Sequence, residues 1–200
     1  MTVLPRTLAW QRTDVTGGEH AGFDDRTGLV ARGVAFAAAP VAYACQYALT
    51  ADGAWASTRL EVSAEGAGWQ RTLRMERASG RWRITSSEKG NLNAVAPTAP
   101  LPGTEDPDRL RDALDVDLYA SPLTNTLPIR RLGLLGQPVG TTRTITAAWV
   151  LLPSLAVVPS EQTYTVLGDG KIQYASGNFT AELTVDADGF VVDYPALARR

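Results

Sequence analysis

Two hundred residues, 44% of them hydrophobic and 20% charged, with a net charge of −2, describe a chain that can bury a core without disulfide staples. That balance excludes an intrinsically disordered chain, and the lack of a basic excess argues against a nucleic-acid partner. A single cysteine, Cys45, excludes an internal disulfide. With a single histidine, His20, it also excludes metal sites built from several thiolates or imidazoles. No metal and no cofactor is expected.

From the N-terminus, Met1–Arg6 carries no apolar signal-peptide core. Glu19-His20 is the one place where a histidine meets a carboxylate. Its neighbours Gly17, Gly18, Ala21 and Gly22 predict a solvated loop. The longest apolar run, Val34 to Cys45, is broken by Pro40 and falls short of the about 20 residues that span a bilayer. A cytoplasmic protein without stable membrane insertion is expected.

A period of two then dominates, which is the strand signal. Tyr43, Cys45, Tyr47 and Leu49 share one face. Asp52-Gly53 marks a hairpin turn, and alternation resumes from Trp55 to Val62. Trp69, Leu73 and Met75 line the next strand, and Ser79-Gly80 turns the chain towards Trp82 and Ile84. From Asn91 to Pro107 the pattern gives way to prolines, predicting a loop or covering strap, and Asp108 to Leu114 reads as a turn or two of helix. Strands return at Thr144–Leu151, at Tyr164–Leu167 with Ile172–Tyr174 around Gly168-Asp169-Gly170, at Phe179–Val185, and at Phe190–Tyr194 after the Asp186-Ala187-Asp188-Gly189 turn. The expected fold is a single mainly β domain over residues 1–200, an antiparallel meander rolled or closed to hide its edges.

No Gly-x-Ser-x-Gly elbow and no phosphate-cradling glycine loop is present. Asp186-x-Asp188-Gly189 opens like a calcium loop but lacks the later ligands. Asp115 and Asp117, two apart on a strand, point to one side. They suit binding a divalent cation or acid–base work, or else one caps a turn while the other pairs with an arginine. They open the densest polar stretch, running through Ser121-Pro122-Leu123-Thr124-Asn125-Thr126-Leu127-Pro128-Ile129-Arg130-Arg131-Leu132. Its prolines fix the backbone of an irregular segment, its hydroxyls and amide satisfy the backbone or grip a ligand, and its arginines suit carboxylate or phosphate. A tightly turned crossover with a buried aspartate–arginine network accounts for the same residues.

This stretch resembles the signature of a bacterial glycolipid-binding family of β-roll domains. That signature runs close to Asp-Val-Asp-Leu, then Ser/Thr-Pro-Phe/Leu-Thr-Asn-Thr-Leu-Pro-Ile-Arg-Arg-Leu. Trp10, Tyr43 to Trp55, Gln162-Thr163-Tyr164 and Val185 to Arg200 extend the likeness over nearly the whole chain. One departure is Leu114, where the family often has cysteine. The resemblance implies a spiral β-roll, similar to the half-open barrels of bacterial lipoprotein carriers, that binds a glycolipid or other amphiphilic small molecule without catalysing a reaction.

An apolar concavity would take the lipid tail, and the expected ligand-binding residues are Asp115, Asp117, Thr124, Asn125, Thr126, Arg130, Arg131, Trp55 and Tyr164. The strand aromatics Trp55, Trp69, Trp82, Trp149, Tyr43, Tyr47, Tyr164 and Tyr174 would supply an apolar face, or pack a solid core. The alternatives are a hydrolase of a glycosyl or lipid ester bond using Asp115, Asp117 or His20, and a structural domain with a filled barrel. No catalytic residue is assigned.

Overall fold

The computed structural model describes residues 7–200, so the N-terminal stretch Met1–Arg6 lies outside the described residues. Alternation produces a seven-strand antiparallel meander. Its strands are β1 (Thr7–Arg12), β2 (Gly17–Asp24), β3 (Leu29–Ala37), β4 (Tyr43–Ala51), β5 (Ser57–Gly66), β6 (Trp69–Ala78) and β7 (Arg81–Gly90). On β4 the odd positions Tyr43 to Ala51 are buried, and Ala44 and Gln46 face water. Both turn residues Ser79 (φ 51°) and Gly80 (φ 75°) lie in the left-handed region, the twist that joins adjacent antiparallel strands without splaying them. Trp55 (φ 67°) sits in the turn before β5, not on the strand the alternation predicts.

After the strap come β8 (Asp115–Leu118), α1 (Pro122–Arg131), β9 (Thr142–Val150), β10 (Val157–Gly168), β11 (Lys171–Ser176), β12 (Phe179–Val185), β13 (Val191–Tyr194) and β14 (Ala198–Arg199). All fourteen strands form one sheet, β7-β6-β5-β4-β3-β2-β1-β14-β13-β12-β11-β10-β9-β8. The sheet is not closed. The first and last strands of the described residues, β1 and β14, pair at the centre, Gln11 opposite Arg199 and Arg12 opposite Ala198.

β8 and β9 are parallel, which requires a crossover, and α1 is that crossover. Here the structure corrects the expectation of an irregular segment. Ser121 stands at the N-cap and Pro122 at the first helical position, where the missing N–H costs nothing. The helix escapes periodicity-based reading because it is buried from Pro122 through Ile129 and has no polar face.

The two ends of the sheet meet across the interior. Ser57 of β5 donates its amide to Leu114 O (2.8 Å), and its hydroxyl accepts from Val116 N (3.1 Å). Trp82 Nε1 donates to Ala113 O (2.9 Å). The segment between β7 and β8, expected as a loop or covering strap, crosses this junction. It includes two 3₁₀ turns, Leu92–Ala94 and Pro107–Leu110; the second, capped by the Asp106 side chain, is the short helix expected nearby. Gly103 of the strap exchanges backbone hydrogen bonds with Leu155 and Val157 beside β10.

Arg71, wholly buried on β6, fastens the strap. Its Nη1 donates to Pro100 O (2.6 Å) and Ser154 O (3.0 Å), and its Nη2 to Glu88 (3.1 Å) and Asn93 (3.3 Å). The apolar interior divides into a larger cluster that draws on both halves of the sheet, including Leu60 of β5, Leu118 of β8 and Val150 of β9, and a smaller one, including Tyr164, Leu183 and Val191, under β10–β13. Trp69, Trp82, Tyr43 and Tyr47 belong to the first as packing residues.

Candidate functional site

Period two places Asp115 and Asp117 on the same side of β8, as predicted, and Val116 and Leu118 on the other, inside the larger apolar cluster. The two carboxylates then diverge. Asp115 is 1% exposed and takes a bidentate ion pair from Arg131, with Nε to Oδ1 at 3.0 Å and Nη2 to Oδ2 at 2.5 Å. Burial pushes its carboxyl up, opposed by the guanidinium. Asp117 has no cation at hydrogen-bond distance among the described residues. It accepts from Gln162 Nε2 (2.6 Å) at Oδ2 and lies 3.1 Å from the Thr124 hydroxyl at Oδ1. Burial pushes this carboxyl up as well, and these hydrogen bonds oppose it.

A carboxylate only accepts, and that fixes the direction of a whole chain. Gln162 must turn its nitrogen to Asp117, so its Oε1 accepts from the Tyr164 hydroxyl (3.1 Å). Tyr164 in turn accepts from Asn125 Nδ2 (3.2 Å). Every proton points towards Asp117, and Asn125 Oδ1 is left without a partner among the described residues.

Asp117, Asn125 and Ser121 form the floor of a cavity of about 520 Å³ beside the N-terminus of α1. Aromatic rings make its walls. Tyr174, Phe179 and Tyr194 form a cluster with centroids 6.1–6.2 Å apart on one side, and Tyr119 and Trp149 (6.2 Å) face it from the other. Phe179 (46% exposed) and Tyr119 (38%) stand open to water at the rim. Ser160 and Ser176 add hydroxyls 3.1 Å apart. Asp14 completes the lining. The Arg12 guanidinium bonds to it through both Nε and Nη2 and holds its carboxyl below the usual range. The same guanidinium lies over the Tyr119 ring, 5.8 Å from its centroid.

Ser121 Oγ does not cap its own helix. It donates to Glu19 Oε1 (2.6 Å), which also accepts from the Tyr47 hydroxyl (2.5 Å). Glu19 is 5% exposed on β2, and its Oε2 has no partner. Burial pushes this carboxyl up to about 7, against the Ser121, Tyr47 and Leu123 amide dipoles. His20, the next residue, faces the opposite side of the sheet and is exposed, so strand geometry separates the expected pair. The loop predicted here is strand β2 instead. Gly17 is there because β3 approaches closely: a Cβ on it would lie 2.4 Å from Phe36 O.

Of the nine residues singled out in the sequence, Asp117 and Asn125 line the cavity, and Thr124 and Tyr164 stand one bond behind them. Asp115 and Arg131 pair with each other. Arg130 lies over the Trp55 ring (4.4 Å to its centroid) and donates to Asp188 O (2.7 Å), away from the cavity. Thr126 is fully buried with its hydroxyl unpartnered. Sequence reasoning passed over Tyr119, Ser160, Phe179 and Tyr194 of the lining, and took Glu19, which lies beneath it, only as the neighbour of His20 in a loop. A broader trough of about 830 Å³ lies on the outward face of β2–β7, between solvent-facing side chains such as Arg32, Gln46 and Arg74. Among the described residues no cluster of histidine, cysteine and acidic side chains suits a metal, and no helix is long and apolar enough to cross a membrane.

An open, mostly antiparallel sheet wound about a crossover helix, with a cavity at that helix's N-terminus, defines a half-open β-roll. The model of the family described as "Putative glycolipid-binding" matches residues 7–200, and the chain belongs to that family. The fold is similar to the crystal structure of a DUF1089 family protein from Pseudomonas aeruginosa. That protein is 24% identical, with a TM-score of 0.64 over 100% of this chain and 95% of the other. A search of curated proteins gives no match.

Proposed function

We propose that the protein binds a glycolipid or similar amphiphile at the α1 cavity and catalyses no reaction on it. The observation that carries this reading is the cavity itself. Its aromatic walls, polar floor and exposed aromatic rim match an amphiphile's junction between head and chain, and its volume of about 520 Å³ suits a small-molecule site. Binding is favoured over hydrolysis by the arrangement of possible catalytic groups. Asp115 is tied to Arg131 outside the cavity. Ser121 is followed by Pro122, which lacks the N–H that a nucleophile's successor would offer to a developing oxyanion.

Native mass spectrometry of the purified protein, with extraction of bound lipid, tests this. The expected result is a co-purifying amphiphile that Trp149→Ala combined with Phe179→Asp removes while the fold persists. A protein that carries nothing and binds no offered glycolipid overturns it.

A further inference from the structure

We infer that the cavity selects an uncharged, hydroxyl-rich head group, such as a neutral saccharide unit, and rejects phosphate, sulfate and carboxylate heads. This rests on the binding reading above and deepens it. The argument comes from where the protons go. The chain from Asn125 through Tyr164 and Gln162 runs towards Asp117, so what it leaves facing the cavity is an acceptor, Asn125 Oδ1. Ser121 is 3% exposed and gives its proton to Glu19, so towards the cavity it also can only accept. Asp117 accepts in every state in which it is charged. The floor is therefore a patch of acceptors in a partly dry site, and such groups require donors from the ligand.

A sugar hydroxyl donates as well as accepts and meets this floor, while its C–H faces pack on the rings of Tyr174, Phe179 and Tyr194. A phosphate or carboxylate oxygen has no proton to give and would face Asp117 as like charge against like. Among the described residues no cation lines the cavity to compensate. The Arg12 guanidinium beside it is bonded twice to Asp14. The two arginines of the sequence motif are also engaged elsewhere, Arg131 on Asp115 and Arg130 on Trp55 and Asp188.

Titration calorimetry with octyl β-glucoside, octyl phosphate and octanoate, which share a chain and differ in head, reads the preference. Octyl glucoside is expected to bind at least about tenfold tighter than either anion, since a site built to pair hydroxyls discriminates strongly against ligands that leave it unpaired. Methyl β-glucoside should compete weakly for the same site. Asp117→Asn lifts the constraint on the chain, lets both amides reverse, and should narrow the gap between glucoside and phosphate. Asn125→Ala, which leaves the carboxylate in place, should weaken glucoside binding alone. Equal or tighter binding of octyl phosphate or octanoate overturns the head-group inference and leaves amphiphile binding standing. Failure of all three amphiphiles overturns both.

Discussion

Glu19 shows how one buried side chain ties distant parts of the chain together. It extends from β2, is gripped by Tyr47 of β4, and holds Ser121 at the threshold of the crossover helix. Its carboxyl is raised to about 7 from an ordinary 4.5, because burial outweighs three dipoles aimed at it. A carboxyl that binds its proton more tightly folded than unfolded makes no difference to stability below about pH 4.5, where both states are protonated. It lowers stability progressively as pH rises to about 7, by roughly 3 kcal/mol in all. Glu19→Gln should remove that slope: urea unfolding at a series of pH values would show the variant gaining on the wild type between pH 4.5 and 7. A gap that stays constant over that range would place the titration elsewhere. At this scale the sequence was only partly legible. Asp115 and Asp117 announced themselves by spacing, whereas Glu19 is an acid on an inward position among glycines, and its burial depends on β4 and α1, far away in the chain. The arginines misled for a related reason. Arginine suits anions, but whether a guanidinium is already engaged is decided by tertiary contacts with Asp115, Trp55 and Asp188.

Among the elements, α1 and the strap do the organising. α1 is a helix that the sequence conceals, since Thr124, Asn125 and Thr126 break its apolar pattern yet are all buried. The strap was legible from its prolines, but its fastening was not. Alternation puts Arg71 on the face of Trp69, Leu73 and Met75, but its partners are distant in the chain: it serves two carbonyls, a carboxylate and an amide from three segments. Arg71→Met keeps the volume and removes every donor. It should cost on the order of 3–5 kcal/mol, as for other broken buried charge networks. Hydrogen exchange should quicken first at Asn91–Pro107 and around Ser154, with β1–β3 keeping their protection. Uniform loss across the sheet would mean that Arg71 supports the core at large and not the strap. Once the strap loosens, the junction of β5 with β8 is exposed to water, and the strand carrying Asp117 loses its backing.

For the molecule as a whole, the strand rhythm and the roll were readable because antiparallel neighbours in sequence are neighbours in the sheet, and turns such as Ser79-Gly80 and Asp169-Gly170 mark where they fold. The order of strands at the centre was not readable, since no local pattern says that β1 and β14 meet. Their union makes one continuous sheet out of two half-sheets, and in the second of them β10–β13 cover a smaller apolar cluster of their own. Removing residues 198–200 should therefore divide a single calorimetric transition into two, with the half that contains β10–β13 melting first. A single, merely shifted transition would show that the β5–β8 junction and the strap hold the halves together without that pairing. The same union carries a consequence for biosynthesis. β1 emerges from the ribosome before the twelve strands β2 to β13, and its partner β14 only after them. Until then β1 presents a bare edge in the crowded cell, with Trp10 lacking the Val191 carbonyl its indole will bind. Nascent chains are thus most exposed to mispairing along that one edge, and translation speed through the second half sets how long the exposure lasts.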